Sequence, residues 1–248
     1  MKKYVSLLLL MPFVWSFSTQ ETALEIVKKS EDKLRGNSNQ VEMEINIVRP
    51  TWKRTMVAKS WSKGTKNSLI LITSPARDKG TVFLKRDKEI WNYVPTIERT
   101  IKLPPSMMMQ SWMGTDFKND DLVRESSMVN DYIHTLLGSE VVSNTDCHKV
   151  EFMPKPDAPV VWGKIIVWIS KDEYLQMRAE FFDEENELIQ VMEGFDVMEF
   201  DGRKLPSRLK MTPLEEEGHY TEMVYHSMKF NIDIDDSFFT TQNMKRVR

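Results

Sequence analysis

Val41, Met43, Ile45 and Ile47 alternate one for one with Glu42, Glu44 and Asn46. A period of two is that of a β-strand with one dry face and one wet face. The run sets the class of fold, because similar segments recur along most of the chain. They cover roughly Thr51–Ser62, Ser68–Thr73, Gly80–Lys85, Glu89–Val94 and Ile97–Leu103, with Gly64, Pro75, Asp87, Pro95 and Pro104-Pro105 as breaks. The second half continues with Glu140–Phe152, Val160–Ser170, Tyr174–Phe182, Leu188–Phe200, Ser207–Met211 and Tyr220–Phe230; Asp201-Gly202, Pro213 and Gly218 mark turns there. Many short strands at this spacing predict a mainly β protein, one large antiparallel sheet closed or nearly closed into a barrel.

Helical signals are few. Leu24, Val27 and Leu34 repeat at helical spacing, with Glu21 and Glu25 at the start, Lys33 and Arg35 at the end and Gly36 as the stop. Between the two strand sets, Pro105 to Gly138 reads differently. Ser106–Met113 is expected to form a short, heavily apolar helix, and Asn119-Asp120-Asp121 to start another. Asp235–Phe239 is expected to form a single helical turn that docks two aromatics. No linker, repeat or low-complexity tract divides the chain, so residues 19–248 are expected to be one domain.

The first residues point to export. Lys2 and Lys3 precede an apolar run, Val5–Trp15, that is too short to span a bilayer, and Ser16-Phe17-Ser18 supplies small residues for a signal peptidase. Cleavage near Ser18/Thr19 would leave 230 of the 248 residues and move the net charge from −3 to −5 by removing Lys2 and Lys3. No cysteine follows the run to be lipidated, so a soluble periplasmic protein is expected. Its mildly acidic balance carries no electrostatic footprint for nucleic acid. With Cys147 as the one cysteine, no internal disulfide can form, and the core must hold the fold.

Motifs for catalysis, metal or cofactor are missing. There is no HExxH, CxxC, GxSxG or phosphate-cradling glycine loop. His134, His148, His219 and His226 lack metal spacing. Asp146-Cys147-His148 suggests a nucleophile beside a base, but neighbouring residues of a strand face opposite ways. What the chain has in plenty is soft apolar surface: 17 methionines and 7 tryptophans. Methionine lines cores and adaptable binding surfaces alike, and a curved sheet with few helices has a concave side to fill.

Several stretches resemble the outer-membrane lipoprotein-sorting family, the LolA-like proteins. They are Glu89-Ile90-Trp91-Asn92-Tyr93-Val94-Pro95, Arg99, Leu103-Pro104-Pro105, Met113-Gly114-Thr115-Asp116-Phe117 and Asp121-Leu122 in the first half. In the second they are Lys164–Asp172, Asp201–Ser207 and Asp236-Ser237-Phe238-Phe239, and the shared order runs from about Leu24 to Met244. The resemblance implies an unclosed β-barrel wrapped around short helices, with an apolar cavity for acyl chains and no cofactor. It implies a carrier of lipids or lipoproteins toward the outer membrane, with an inner-membrane transporter and an outer-membrane acceptor as partners. A lipid-sensing accessory subunit of a transporter or envelope-stress system is the alternative. On this reading the cavity candidates are Val41, Met43, Ile45, Ile47, Trp91, Tyr93, Met107, Met108, Met109, Trp112 and Met113. Arg49 and Arg54 are the candidates for controlling acyl release. The segment Ser106–Met113 would be a lid or a fixed plug.

Overall fold

The computed structural model describes residues 21–124 and 128–247. The expected signal peptide and its cleavage site lie outside the described residues. A single α-helix, α1 (Ala23–Arg35), opens the fold. Thr22 and Glu25 form a reciprocal capping box at its start. At its end Gly36 takes a left-handed φ of 62° and its amide donates to Asp32 O, while Arg203 Nη1 donates to the carbonyls of Asp32 and Lys33. Ile26 and Val27 form the buried stripe of this helix.

Thirteen antiparallel strands follow. They are β1 (Ser38–Val48), β2 (Lys53–Lys63), β3 (Asn67–Ser74), β4 (Val82–Arg86), β5 (Glu89–Val94) and β6 (Arg99–Lys102), then β7 (Tyr132–Val142), β8 (Thr145–Pro154), β9 (Lys164–Ser170), β10 (Gln176–Phe182), β11 (Leu188–Phe200), β12 (Arg203–Pro213) and β13 (Tyr220–Phe230). They make one sheet in the order β6-β5-β4-β3-β2-β1-β13-β12-β11-β10-β9-β8-β7. Each half is a meander, and β1 pairs with β13 to join the halves. β6 and β7 do not pair, so the barrel is unclosed, as the resemblance implies.

The alternation in β1 behaves as expected. Val41, Met43, Ile45 and Ile47 are buried on the concave face, while Glu42 on the other face pairs with Lys59 at 2.8 Å. A bulge opposite Glu42/Met43 leaves an extra residue, His226, on β13 and bends the pair. The concave side holds the main core, which takes in α1, β1, β2, β13 and the inner residues of β8 and β9.

β3 and β4 are buried on both faces. Ile70, Ile72 and Phe83 join the main core, while Leu69, Leu71, Val82 and Leu84 face outward beneath the C-terminal segment. That segment packs Ile234, Phe239, Met244 and Val247 on them. The expected helical turn is there as a 3₁₀ turn, Asp236–Phe238, capped by Asp235 and docking Phe239, which is fully buried.

Three expectations are corrected. Glu140–Phe152 is not one strand: Ser143 and Asn144, with φ of 48° and 62°, form a two-residue hairpin turn between β7 and β8. Two successive positive φ values are what a right-twisted hairpin requires. β7 also begins at Tyr132, inside the stretch read as a non-strand connection. Ser106–Met113 is not a helix either. Only Pro105–Met107 makes a 3₁₀ turn, and Ser111 bridges to Lys118. Eight residues behind two prolines gain too few backbone bonds to nucleate a helix. The start expected at Asn119-Asp120-Asp121 is a short π-helix, Asp120–Arg124.

Candidate functional site: an apolar hollow closed by an arginine-held plug

The segment from Pro105 to Asp121 crosses the concave face over β4. Its backbone is satisfied locally rather than by regular structure. Trp112 N donates to Phe117 O at 2.9 Å, and the Thr115 amide and hydroxyl both donate to Trp112 O. Asn119 donates through its side chain to Met107 O at 2.9 Å. Met113 and Gly114 both take positive φ, 52° and 81°, so the chain reverses there. Glycine suits that turn because it has no Cβ to strain.

Tied this way, the segment points Met108 and Trp112 inward. They are 2% and 1% exposed, and the Trp112 ring lies 5.4 Å from that of Phe83. Met107 and Met113 are partly buried against the same core, whereas Met109 faces solvent at 52% exposure.

Arg49 and Arg54 hold the reversal. Arg49 makes a two-pronged contact with Asp116, Nη2 to Oδ1 at 2.9 Å and Nη1 to Oδ2 at 3.1 Å, and Nη2 also donates to Gly114 O. Thr221 donates to the same carboxylate at 2.6 Å, and Trp52 stacks over the guanidinium. Arg54 donates to Met113 O at 3.2 Å and pairs with Asp78 at 2.6 Å. Paired planar contacts of this kind are the stronger class of hydrogen bond. Both arginines come from the β1–β2 hairpin, on either side of its turn, and both grip the one segment that plugs the hollow.

At the other end of β1 lies a cavity of about 120 Å³, lined by Leu34, Val41, Met43, Ile70, Leu122 and Met223 among others. Two open grooves flank the plug. One of about 420 Å³ runs along Ile90, Leu103 and Pro104, and one of about 580 Å³ along Met109, Val160 and Val161; Met108 borders both.

Of the sequence candidates, Val41 and Met43 line the cavity, Ile45 and Ile47 continue the same face, and Met108 and Trp112 are buried in the same core without lining the cavity. Trp91 and Tyr93 do not belong with them. They sit against Leu69, Leu84 and the C-terminal segment on the outer face. The pairing of β5 with β4 accounts for this: Trp91 opposes Leu84 and Tyr93 opposes Val82, both outward residues. Asp116 and Thr221 were missed. A lone carboxylate in a glycine turn gives no signal of the arginine that folding brings to it. Leu122 lines the cavity as well, though the sequence marks it only by the Asp121-Leu122 resemblance.

Several titratable groups of the described residues are shifted by burial. Burial pushes the Cys147 thiol up to about 11. Asp121 is raised by burial, against the pull of Trp162 Nε1 at 2.9 Å. His134 lies against Phe152 and contacts Met128 O at 2.6 Å. Among the described residues no group of three or more His, Cys, Asp or Glu could hold a metal ion, and no helix is long and apolar enough to cross a membrane.

The fold has close counterparts. A DUF1329 family protein from Desulfovibrio piger superposes with a TM-score of 0.80 at 22% identity, covering 90% of this chain and 97% of that one. A domain assigned to outer-membrane lipoprotein sorting, from Vibrio parahaemolyticus, gives 0.80 at 20% identity, over 90% and 98%. A LolA superfamily protein from Nitrosomonas europaea gives 0.78 at 24% identity, over 90% and 99%. No curated protein matches the sequence. A family model described as uncharacterized-protein-like matches residues 64–246, more than half of the chain, so the chain belongs to that family, and its fold is LolA-like.

Proposed function

We propose that this protein is a periplasmic carrier that takes the acyl chains of a lipid or lipoprotein into its concave hollow and passes them toward the outer membrane. The observation that carries the reading is the plug. Apolar side chains, Met108 and Trp112, are buried in the concave core, and polar contacts from Arg49 and Arg54, with Thr221 on Asp116, pin the turn that follows them. Apolar contact without directional bonds can be exchanged for cargo, and a polar latch can be released without unfolding the sheet.

The sizes agree with such an exchange. Ligand pockets run to about 300–1,000 Å³, so the 120 Å³ cavity does not hold an acyl chain while the plug is seated. Burying an acyl chain is worth about 0.8 kcal/mol per CH₂, or about 13 kcal/mol for sixteen carbons, which is enough to displace a few apolar side chains. The methionines around the hollow, Met43, Met108, Met211, Met223 and Met228, suit a binder that must repack around chains of varied shape.

The test is lipid mass spectrometry on protein purified from the periplasm, with Met43→Ala and Met43→Asp beside the wild type. Acyl lipid is expected to co-purify with the wild type and to fall more steeply for the buried charge than for alanine. Full occupancy in both variants would take β1 out of the site, and a lipid-free wild type would overturn the carrier reading. Recovery of a stable membrane partner in a pull-down would favour the sensing role instead.

A further inference from the structure

Trp112 is 1% exposed, yet its indole Nε1 has no hydrogen-bond acceptor among the described residues. The rest of the residue is fully used: its amide donates to Phe117 O, its carbonyl accepts from Thr115 twice, and its ring packs on Phe83. A buried donor without a partner costs free energy that a phenylalanine in the same place would not. If Trp112 only filled space, that N–H would be a defect.

Its surroundings suggest a use. Phe83 is the cross-strand partner of Ile70, which lines the cavity, so the indole lies one side-chain layer from the hollow. The next residues, Met113 and Gly114, are those gripped by Arg54 and Arg49. Trp112 is thus linked through Phe83 to the wall of the apolar cavity on one side and through Met113 and Gly114 to the polar turn on the other. An acylated ligand has the same order: hydrocarbon, then a carbonyl, then a polar head.

We propose that the Trp112 indole N–H is the hydrogen-bond donor for the ester or amide carbonyl of the acyl cargo, which sets how deep the chain enters. This rests on the carrier reading and adds to it a polar anchor with a stated ligand chemistry.

The experiment compares two phosphatidylglycerols of equal chain length, the dihexadecanoyl diester and the dihexadecyl diether, on the mature protein and on Trp112→Phe. The wild type is expected to retain the diester about three- to tenfold more tightly, the worth of one net hydrogen bond. Trp112→Phe should bind both equally, with diether affinity unchanged. In the isotope-labelled wild type, the Trp112 indole N–H resonance, assigned through its contacts to Phe83, should shift on adding diester and stay in place with diether. Equal binding of both lipids by the wild type, or an indole resonance that ignores the diester, overturns the anchor and leaves the carrier standing. Binding of neither lipid overturns both.

Discussion

Arg49 and Asp116 meet with side chains only 10% and 7% exposed, so the pair is largely shielded from water. Breaking a buried pair from one side costs about 3–5 kcal/mol, because the remaining charge keeps its desolvation penalty. Arg49→Leu is therefore expected to lower the unfolding free energy by about 3 kcal/mol in a denaturant titration, and Arg49→Leu with Asp116→Leu by clearly less. Equal losses would mean that the contacts to Gly114 and Tyr220, and not the pair, hold this corner. His134 is a second residue with a measurable consequence. Burial, with Lys155 nearby, holds its imidazole below the ordinary 6.5, although the Met128 carbonyl pulls the other way. A depressed folded value means that the folded state resists the proton. The stability is complete above 6.5 and is lost as pH falls through the folded value. His148 is shifted the same way by burial and Lys171, so the two add. Stability should fall on acidification below 6.5, and His134→Gln should flatten part of that slope. An unchanged slope would exclude His134 as a contributor.

At the scale of elements, the plug segment differs from everything around it. β1 is bonded along its whole length to β2 and β13, whereas Pro105–Asp121 relies on local turns, two arginines and a few buried side chains. Segments with that profile open at free energies below the global value. Amide hydrogen exchange should therefore find Trp112, Thr115 and Asn119 opening well before Met43 and Ile45, and Arg49→Leu should speed the first group alone. Protection of both sets at the same level would make Ser106–Met113 a fixed part of the core. The sequence indicated that this segment was apolar and set off by Pro104-Pro105, which is correct. It misjudged the local form, because Met108 and Trp112 share one buried side at helical spacing while the backbone between them is not helical.

Across the whole molecule, one sheet supports two cores on opposite faces. The run Leu69-Ile70-Leu71-Ile72 has no alternation because both of its sides are covered, the inner by the main core and the outer by the C-terminal segment. The C-terminal segment is thus a structural lid on the outer face and takes no part in the hollow. Phe239→Ala is expected to cost about 3–5 kcal/mol, a full aromatic deletion from a closed site. It should leave lipid occupancy per folded molecule unchanged. A variant that is stable but empty would show that the outer layer shapes the hollow.

What this sequence determined by itself is the local part. The period of two in β1, the caps of α1, the breaks at glycine and proline and the aromatic turn at the C-terminus all follow from interactions within a few residues. What only the tertiary structure decided is which side each strand faces and who meets across the sheet. Trp91 and Tyr93 look no different in sequence from Val41 and Met43, yet the pairing of β5 with β4 turns them outward. Arg49 and Asp116 stand far apart along the chain, and Trp112 carries no mark of an unpaired N–H. Those facts depend on register and on contacts between distant residues, which exist only once the sheet has curved around its plug.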